Sequence, residues 1–259
     1  MNVILYLIIF VTGLFFGSFF TLAVYRLPRK EDILIKHSYC PNCNHKLGFF
    51  DLFPVFSFLF LGGKCRYCGN KIRPRYLILE LCAGITFLLI AFSMKINIYK
   101  IDLNVAINLI SNLIYISILF IVAGIDKEEI KIQKNVIVVG YILEIIYIIY
   151  QCTLGNVNVY QYVIYLLLLI IILVLDNIIL KINMNNKYYT DILYFSLYII
   201  LFLGSTIYIL SVIATLILIA IYLIIRKNKN KNISIAYFLS ICNLIVIMTC
   251  NFLINYYKI

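Results

Sequence analysis

Long apolar runs recur along most of this chain and are separated by short polar segments. Most of these runs approach or exceed the roughly 20 residues of helix that a bilayer core requires. The pattern predicts six single membrane crossings and one apolar block that is too long for a single crossing. The predicted single spans are Val3–Tyr25, Leu77–Met94, Leu103–Ile125, Val136–Cys152, Tyr160–Leu180 and Ile233–Tyr257.

The longer apolar block extends from Ile192 to Ile225. Gly204 and Ser205 near its middle favour a turn, so we predict two short helices there. The chain is then an all-α integral membrane protein with about eight transmembrane helices. Along the sequence we predict a first transmembrane helix over 1–25, a small zinc-ribbon-like cysteine loop over 26–76 and a seven-helix membrane core over 77–259.

Composition and charge support a membrane location rather than a soluble one. The chain is 64% hydrophobic and carries a formal net charge of +11. With eight spans, only Lys95, Lys100 and Lys258 of the 22 Lys and Arg residues fall on one side. Because cytoplasmic loops carry the excess of basic residues, we place the N-terminus outside and the cysteine loop in the cytoplasm. The net positive charge then reflects the orientation of the chain in the membrane, and we expect no nucleic-acid partner.

The first apolar run is followed by basic residues rather than preceded by them. A secretory signal peptide has the opposite order, so we expect a retained helix.

Four of the eight cysteines form two C-x-x-C pairs, Cys40 with Cys43 and Cys65 with Cys68. Two such pairs can complete a closed tetrahedral zinc site, which would be structural because all four positions are filled. Two disulfides or unligated thiols are the alternatives, and a reducing cytoplasm favours the metal.

Aspartates lie at the predicted inner ends of two spans, Asp126 after the third and Asp191 before the sixth. Two interpretations are open. These aspartates could simply be charged residues that end helices, or they could form a carboxylate dyad, a pair of acids that act together in catalysis. In a dyad, one carboxylate acts as base on a water while the other acts as acid. Asp176 lies inside the fifth predicted span and ranks below these two as a catalytic candidate.

The N-terminal part of the chain contains several motifs in a specific order. They are Gly17-Ser18-Phe19, Arg26-Leu27-Pro28, Cys40-Pro-Asn-Cys43, Leu52-Phe-Pro54, Cys65-Arg-Tyr-Cys68-Gly69, Lys71-Ile72, Arg75-Tyr76 and Glu80. In order, spacing and residue type this region resembles the bacterial type IV prepilin peptidases, which are aspartic proteases of the inner membrane. The second half resembles the family mainly in topology and in its two aspartates.

The resemblance implies a function and a set of residue roles. Asp126 and Asp191 would be catalytic, although Tyr188-Tyr189-Thr190 stands where the family has Gly-x-Gly before the second aspartate. The substrate would be a prepilin or pseudopilin cut after a leader glycine. The new N-terminus would then be methylated from S-adenosylmethionine, through binding residues that are unknown. Asp51 and Glu80 are the acids nearest the cysteine loop; each could contact such a cationic donor or serve a structural role instead.

Two other classes of function remain open on the sequence. A non-catalytic, zinc-stapled membrane scaffold or pilus-assembly factor would need neither aspartate. A small transporter would use intramembrane acids to line a pathway, but the chain has few embedded charges.

Overall fold

The computed structural model describes residues 2–33, 35, 37–157, 159–182, 187–225 and 233–257. Within these ranges the chain is helical, and the β-structure consists of isolated bridges in the cysteine loop. The α-helices are α1 (Asn2–Arg26), α2 (Phe56–Phe60), α3 (Arg75–Ser93), α4 (Leu103–Glu129), α5 (Lys134–Thr153), α6 (Val159–Ile182), α7 (Lys187–Leu203), α8 (Ser205–Ile225) and α9 (Ile235–Tyr257). The all-α fold class is confirmed.

Six of the described helices are long and apolar enough to cross a membrane, namely α1, α3, α4, α5, α8 and α9. In α6 and α7 the apolar stretches among the described residues are shorter, Val159–Ile171 and Tyr188–Leu203. The predicted break in the long apolar block is confirmed, because α7 ends at Leu203 and α8 begins at Ser205. Gly204 between them has φ +77°, which an L-residue with a side chain rarely adopts.

The chain clusters into two compact units, Met1–Leu109 and Ile110–Ile259. In the first unit α1 packs closely against α3 through small residues. A Cβ added at Gly17 would lie 2.6 Å from the Glu80 Cα, and one at Gly13 would lie 2.8 Å from the Gly84 Cα. Small residues let two helix backbones approach in this way. The Gly13/Gly17 pair therefore serves packing within this chain, and the face it forms is occupied by α3.

In the second unit, aromatic residues hold α7 against its neighbours. The ring of Tyr115 on α4 stacks on Phe202 with centroids 4.0 Å apart. The Tyr141 hydroxyl on α5 donates a hydrogen bond of 2.7 Å to the carbonyl of Tyr194. These contacts fix the position of α7, which begins at Lys187. Asp191 is therefore one turn inside the helix and not at its first residue.

The apolar stretch of the cysteine loop, from Phe49 to Phe60, forms a 3-10 turn and the short helix α2. Several of its phenylalanines are exposed, including Phe50 and Phe60. An exposed aromatic surface of this kind suits the interfacial region of a bilayer. The location of this stretch along the membrane surface stays a prediction.

Candidate functional site

The two C-x-x-C pairs form matching turns. In each, the N–H of the residue four positions after the first cysteine donates to that cysteine's carbonyl: Asn44 to Cys40 at 2.8 Å and Gly69 to Cys65 at 2.9 Å. Asn44 and Gly69 both have positive φ, the left-handed conformation that Asn and Gly tolerate best. The two turns thus present their cysteines in the same way.

The four thiols of Cys40, Cys43, Cys65 and Cys68 come together, with all sulfur atoms within 4.8 Å of one another. The Sγ atoms of Cys40 and Cys68 are 3.9 Å apart. Tetrahedral zinc with Zn–S bonds of about 2.3 Å needs sulfur–sulfur distances of about 3.8 Å. The backbone N–H of Asn70 and the side-chain amide of Asn42 lower the pKa of Cys68 to about 6, which favours the metal-binding thiolate. This cluster could bind a metal ion.

Asp126 lies near the C-terminal end of α4 and is completely buried, with 0% exposure. Its Oδ1 accepts a hydrogen bond of 2.7 Å from the hydroxyl of Tyr188, in the first turn of α7. Its Oδ2 accepts one of 2.9 Å from the backbone N–H of Tyr237, in the first turn of α9. Two other helices therefore contribute donors to this one carboxylate.

The N-terminus of α9 donates backbone hydrogen bonds to both Asp126 and Tyr188. The N–H of Ala236 also bonds to Asp126, and the N–H of Ile235 donates to the Tyr188 hydroxyl at 3.0 Å. The first N–H groups of a helix have no partner inside the helix, and the helix dipole there favours an anion. Asp126 thus occupies the anion-binding end of α9.

Asp191 is also buried, with 3% exposure, and lies three residues after Tyr188 on α7. Residues three apart on a helix are neighbours on one face, with Cβ atoms about 5–6 Å apart. The Nζ of Lys134, at the start of α5, lies 3.3 Å from its Oδ1. Tyr188 therefore connects Asp126 to the helix face that carries Asp191. The side chain of Asp176 lies outside the described residues.

Sequence reasoning missed Tyr188, Lys134 and Glu144 as members of this unit. Tyr188 was noted only as a departure from glycine, and its contact with Asp126 joins residues 62 positions apart. Glu144 carried a usable signal, because it is an acid inside the apolar run of α5. Within the described part of the chain, both of its buried carboxylate oxygens lack a hydrogen-bond partner.

Comparison with known proteins gives one family match, which lies in the N-terminal part of the chain, and several similar curated proteins. Residues 11–94 match the family model of the bacterial peptidase A24 N-terminal domain. A prepilin leader peptidase/N-methyltransferase of Klebsiella pneumoniae is 35% identical over 126 residues, covering 46% of this chain and 51% of the relative. One of Bacillus subtilis is 32% identical over 131 residues, covering 51% and 49%.

A prepilin leader peptidase/N-methyltransferase of Vibrio cholerae is 43% identical over 96 residues, covering 34% of this chain and 36% of the relative. The matched segments thus span about half, or less, of these curated relatives. No solved structure matches the chain. Over residues 11–94 the chain is therefore similar to the bacterial peptidase A24 N-terminal domain, and over part of its length it is similar to proteins named prepilin leader peptidase/N-methyltransferase.

Proposed function

We propose that the chain is a membrane-embedded aspartic endopeptidase that cleaves the leader of type IV prepilin-like proteins after a glycine. The observation that carries this proposal is the complete burial of Asp126 together with its donors from α7 and α9. Ionisable groups inside membrane segments are costly and usually functional. Asp191, on the same helix as Tyr188, supplies the second carboxylate.

The reaction needs no covalent intermediate. One aspartate takes a proton from a water molecule, whose oxygen attacks the carbonyl carbon of the scissile peptide. The other aspartate protonates the leaving nitrogen as the C–N bond breaks. In this scheme Tyr188 and the N-terminus of α9 orient Asp126, because a carboxylate held at both oxygens cannot rotate freely.

The proposed location is the bacterial cytoplasmic membrane, with the N-terminus outside and the cysteine loop in the cytoplasm. The support is the distribution of basic residues, since only Lys95, Lys100 and Lys258 lie on the outer side of the predicted topology. Both aspartates are then near the cytoplasmic ends of their helices, where a leader held in the cytoplasm meets a hydrophobic mature segment. The partners are the bilayer and a prepilin or pseudopilin, without nucleic acid.

Zinc is the metal proposed for the four cysteines, in a structural role. The support is the closed four-thiol set and its spacing, which leaves no ligand position for a substrate. The loop between α1 and α3 is too short to fold on a large apolar core of its own, so the metal would contribute much of its stability.

A second activity, N-methylation of the new N-terminus, is proposed from the names of the relatives in Klebsiella, Vibrio and Bacillus. S-adenosylmethionine would supply the methyl group. The lone pair of the substrate amine forms the new C–N bond, the S–CH3 bond breaks, and its electrons remain on the sulfur. The proton that the amine carries in excess passes to water.

The test is cleavage of a co-expressed prepilin from the same genome, with the new N-terminus read by mass spectrometry. Asp126→Asn and Asp191→Asn keep the shape of each side chain and remove its acid, so we expect both to abolish cleavage. Asp102→Asn is the matched control, because Asp102 is exposed and its carboxylate caps α4 by accepting from the N–H of Val105. Asparagine caps helices equally well.

Cleavage that survives Asp191→Asn would move the second catalytic role to another acid, with Asp176 tested next. A wild-type protein that leaves several prepilins uncut would favour the non-catalytic scaffold. A methylated product would report the second activity in the same spectrum.

A further inference from the structure

The first residue of α5, Lys134, contacts the buried carboxylate of Asp191 on α7. Its Nζ lies 3.3 Å from Oδ1 of Asp191, which is within ion-pair distance. The Asp191 side chain is 5% exposed and that of Lys134 is 35% exposed, so the pair lies at the edge of the protein interior. Lys134 therefore brings a positive charge to a carboxylate that is shielded from water.

Lys134 stands at the unfavourable end of its own helix. It begins α5, and the N-terminus of a helix is the positive end of its dipole, where acidic side chains are favoured over basic ones. Membrane orientation by itself would account for a lysine in this connection, as it does for Lys131. Orientation does not account for an ammonium group that is directed at a buried carboxylate.

A second contact holds the ammonium group of Lys134 in place. Its Nζ lies 4.8 Å from the ring centroid of Tyr194, and a cation over an aromatic face is attracted to the ring. Tyr194 follows Asp191 by three residues, and residues three apart lie on one face of a helix. The ammonium group thus contacts a ring and a carboxylate that share one face of α7.

The helices α5 and α7 remain in contact beyond this pair. Tyr141, seven residues after Lys134, donates a hydrogen bond of 2.7 Å to the carbonyl of Tyr194. Gly140 lies so close to Tyr198 that an added Cβ would be 2.8 Å from a ring carbon. These contacts fix the register of the two helices. The lysine therefore reaches its aspartate through the packing of α5 on α7.

The two aspartates of the proposed site are held by different kinds of group. The donors to Asp126 are the hydroxyl of Tyr188 and backbone N–H groups of α9, which carry no formal charge. The group on Asp191 is an ammonium ion. Asp126 lies near the end of α4, and Lys134 begins α5 eight residues later. One short segment of chain therefore carries the first aspartate and the cation that faces the second.

We propose that Lys134 is a positioning residue, whose ammonium group fixes the orientation of the Asp191 carboxylate and stabilises its ionised form. A nearby positive charge favours the ionised form of a carboxyl group. Either role of Asp191 passes through this form, because a base begins as a carboxylate and an acid ends as one. The catalytic consequence rests on the proposed peptidase activity, whereas the pairing itself is a property of the fold.

The first measurement tests the pair without any substrate. Thermal unfolding of the full chain in nanodiscs is compared for Lys134→Met alone and for Lys134→Met combined with Asp191→Asn. Methionine reproduces the aliphatic part of lysine and removes the charge. We expect the lysine substitution to lower the unfolding temperature by about 4 °C in the wild type. Beside Asp191→Asn we expect about half of that loss or less, because the negative charge that needs compensation is then absent.

The second measurement is the rate of prepilin cleavage, with kcat and KM determined separately. We expect Lys134→Met to lower kcat about tenfold and to leave KM nearly unchanged, because the charge acts at Asp191 and not on the bound leader. Lys134→Arg keeps the charge and changes the shape, and we expect it to recover most of the lost rate. A role in packing alone would give the opposite order of the two variants.

Lys131→Met is the matched control for both measurements. Lys131 lies in the same connection between α4 and α5, its side chain is 66% exposed, and it pairs with Glu129 at 3.6 Å. Exposed ion pairs of this kind contribute little to stability. We expect this variant to unfold and to cleave as the wild type does.

Equal losses of unfolding temperature in the two backgrounds would overturn the pairing. Cleavage by Lys134→Met at the wild-type rate would overturn the positioning role, as would a Lys134→Arg variant that is no faster than Lys134→Met. A wild type that leaves several prepilins uncut contradicts the proposed peptidase, and the unfolding temperatures then decide the pairing by themselves.

Discussion

Replacing Tyr188 with phenylalanine removes one oxygen atom from the network around Asp126. That hydroxyl donates to Oδ1 of Asp126 at 2.7 Å and accepts from the N–H of Ile235 at 3.0 Å. Phenylalanine keeps the ring and its packing, so the change tests the two hydrogen bonds and little else. It leaves a buried carboxylate oxygen and a helix N-terminal N–H without this partner.

The size of the effect follows from the burial of these groups. A hydrogen bond to a charged group contributes about 1.5–3 kcal/mol, and one between neutral groups about 0.5–1.5 kcal/mol. The two bonds together therefore stabilise the network by roughly 2–4 kcal/mol. Because Asp126 is 0% exposed, water cannot readily replace the lost hydroxyl. About 1.4 kcal/mol of transition-state stabilisation is a factor of ten in rate, so losing the full amount of about 2–4 kcal/mol in the transition state lowers kcat roughly 30- to 1,000-fold.

The assay is the time course of prepilin cleavage at saturating substrate, together with thermal unfolding of the purified protein. We expect Tyr188→Phe to lower both kcat and the unfolding temperature. Tyr189→Phe is the matched control, since Tyr189 is 62% exposed and contacts Tyr188 only edge-on. The control should cleave at the wild-type rate.

Cleavage by Tyr188→Phe at the wild-type rate, with unchanged stability, would refute the reasoning. It would mean that the phenol does not hold Asp126 in the reacting protein. Faster cleavage would refute it too, because it would make Tyr188 an obstacle to the substrate rather than a positioning residue.

Three further results are expected from the first compact unit. Purified protein should contain one zinc per chain by elemental analysis, and chelation should lower the unfolding temperature of the loop. Partial burial raises the pKa of Asp51, but hydrogen bonds from Gly48, Arg66 and Tyr67 outweigh it and hold the pKa below its ordinary value. Asp51→Asn should therefore destabilise the protein most above about pH 4, and the difference from wild type should shrink as the pH falls further. Gly17→Ala should destabilise the protein by about 1–3 kcal/mol, because its Cβ would overpack α3 at 2.6 Å.

A specific experimental outcome would contradict each of these three expectations. Protein purified without chelators that contains no metal would contradict the zinc site. A difference between wild type and Asp51→Asn that grows toward low pH would contradict the sign derived for Asp51. Gly48→Ala is the control for Gly17, because a Cβ there meets its nearest atom at an ordinary 3.6 Å. Equal effects of the two substitutions would contradict close packing at Gly17.

The sequence by itself determined the helices, the break at Gly204 and the cysteine cluster. A span needs about 20 apolar residues in a row, so hydropathy along the chain is enough to find it. Two residues between paired cysteines set the geometry of a metal-binding turn locally.

Only the tertiary structure decided what surrounds the acidic residues. Asp126 receives its donors from Tyr188 and Tyr237, which are 62 and 111 positions away in sequence. Asp51 and Glu80 look alike in the sequence, but the fold gives Asp51 an arginine partner, whereas Glu80 accepts a hydrogen bond from the backbone N–H of Val55. The physical reason is that hydropathy and motif spacing are local along the chain. The environment of a buried charge is set by helices that meet only after the chain has folded.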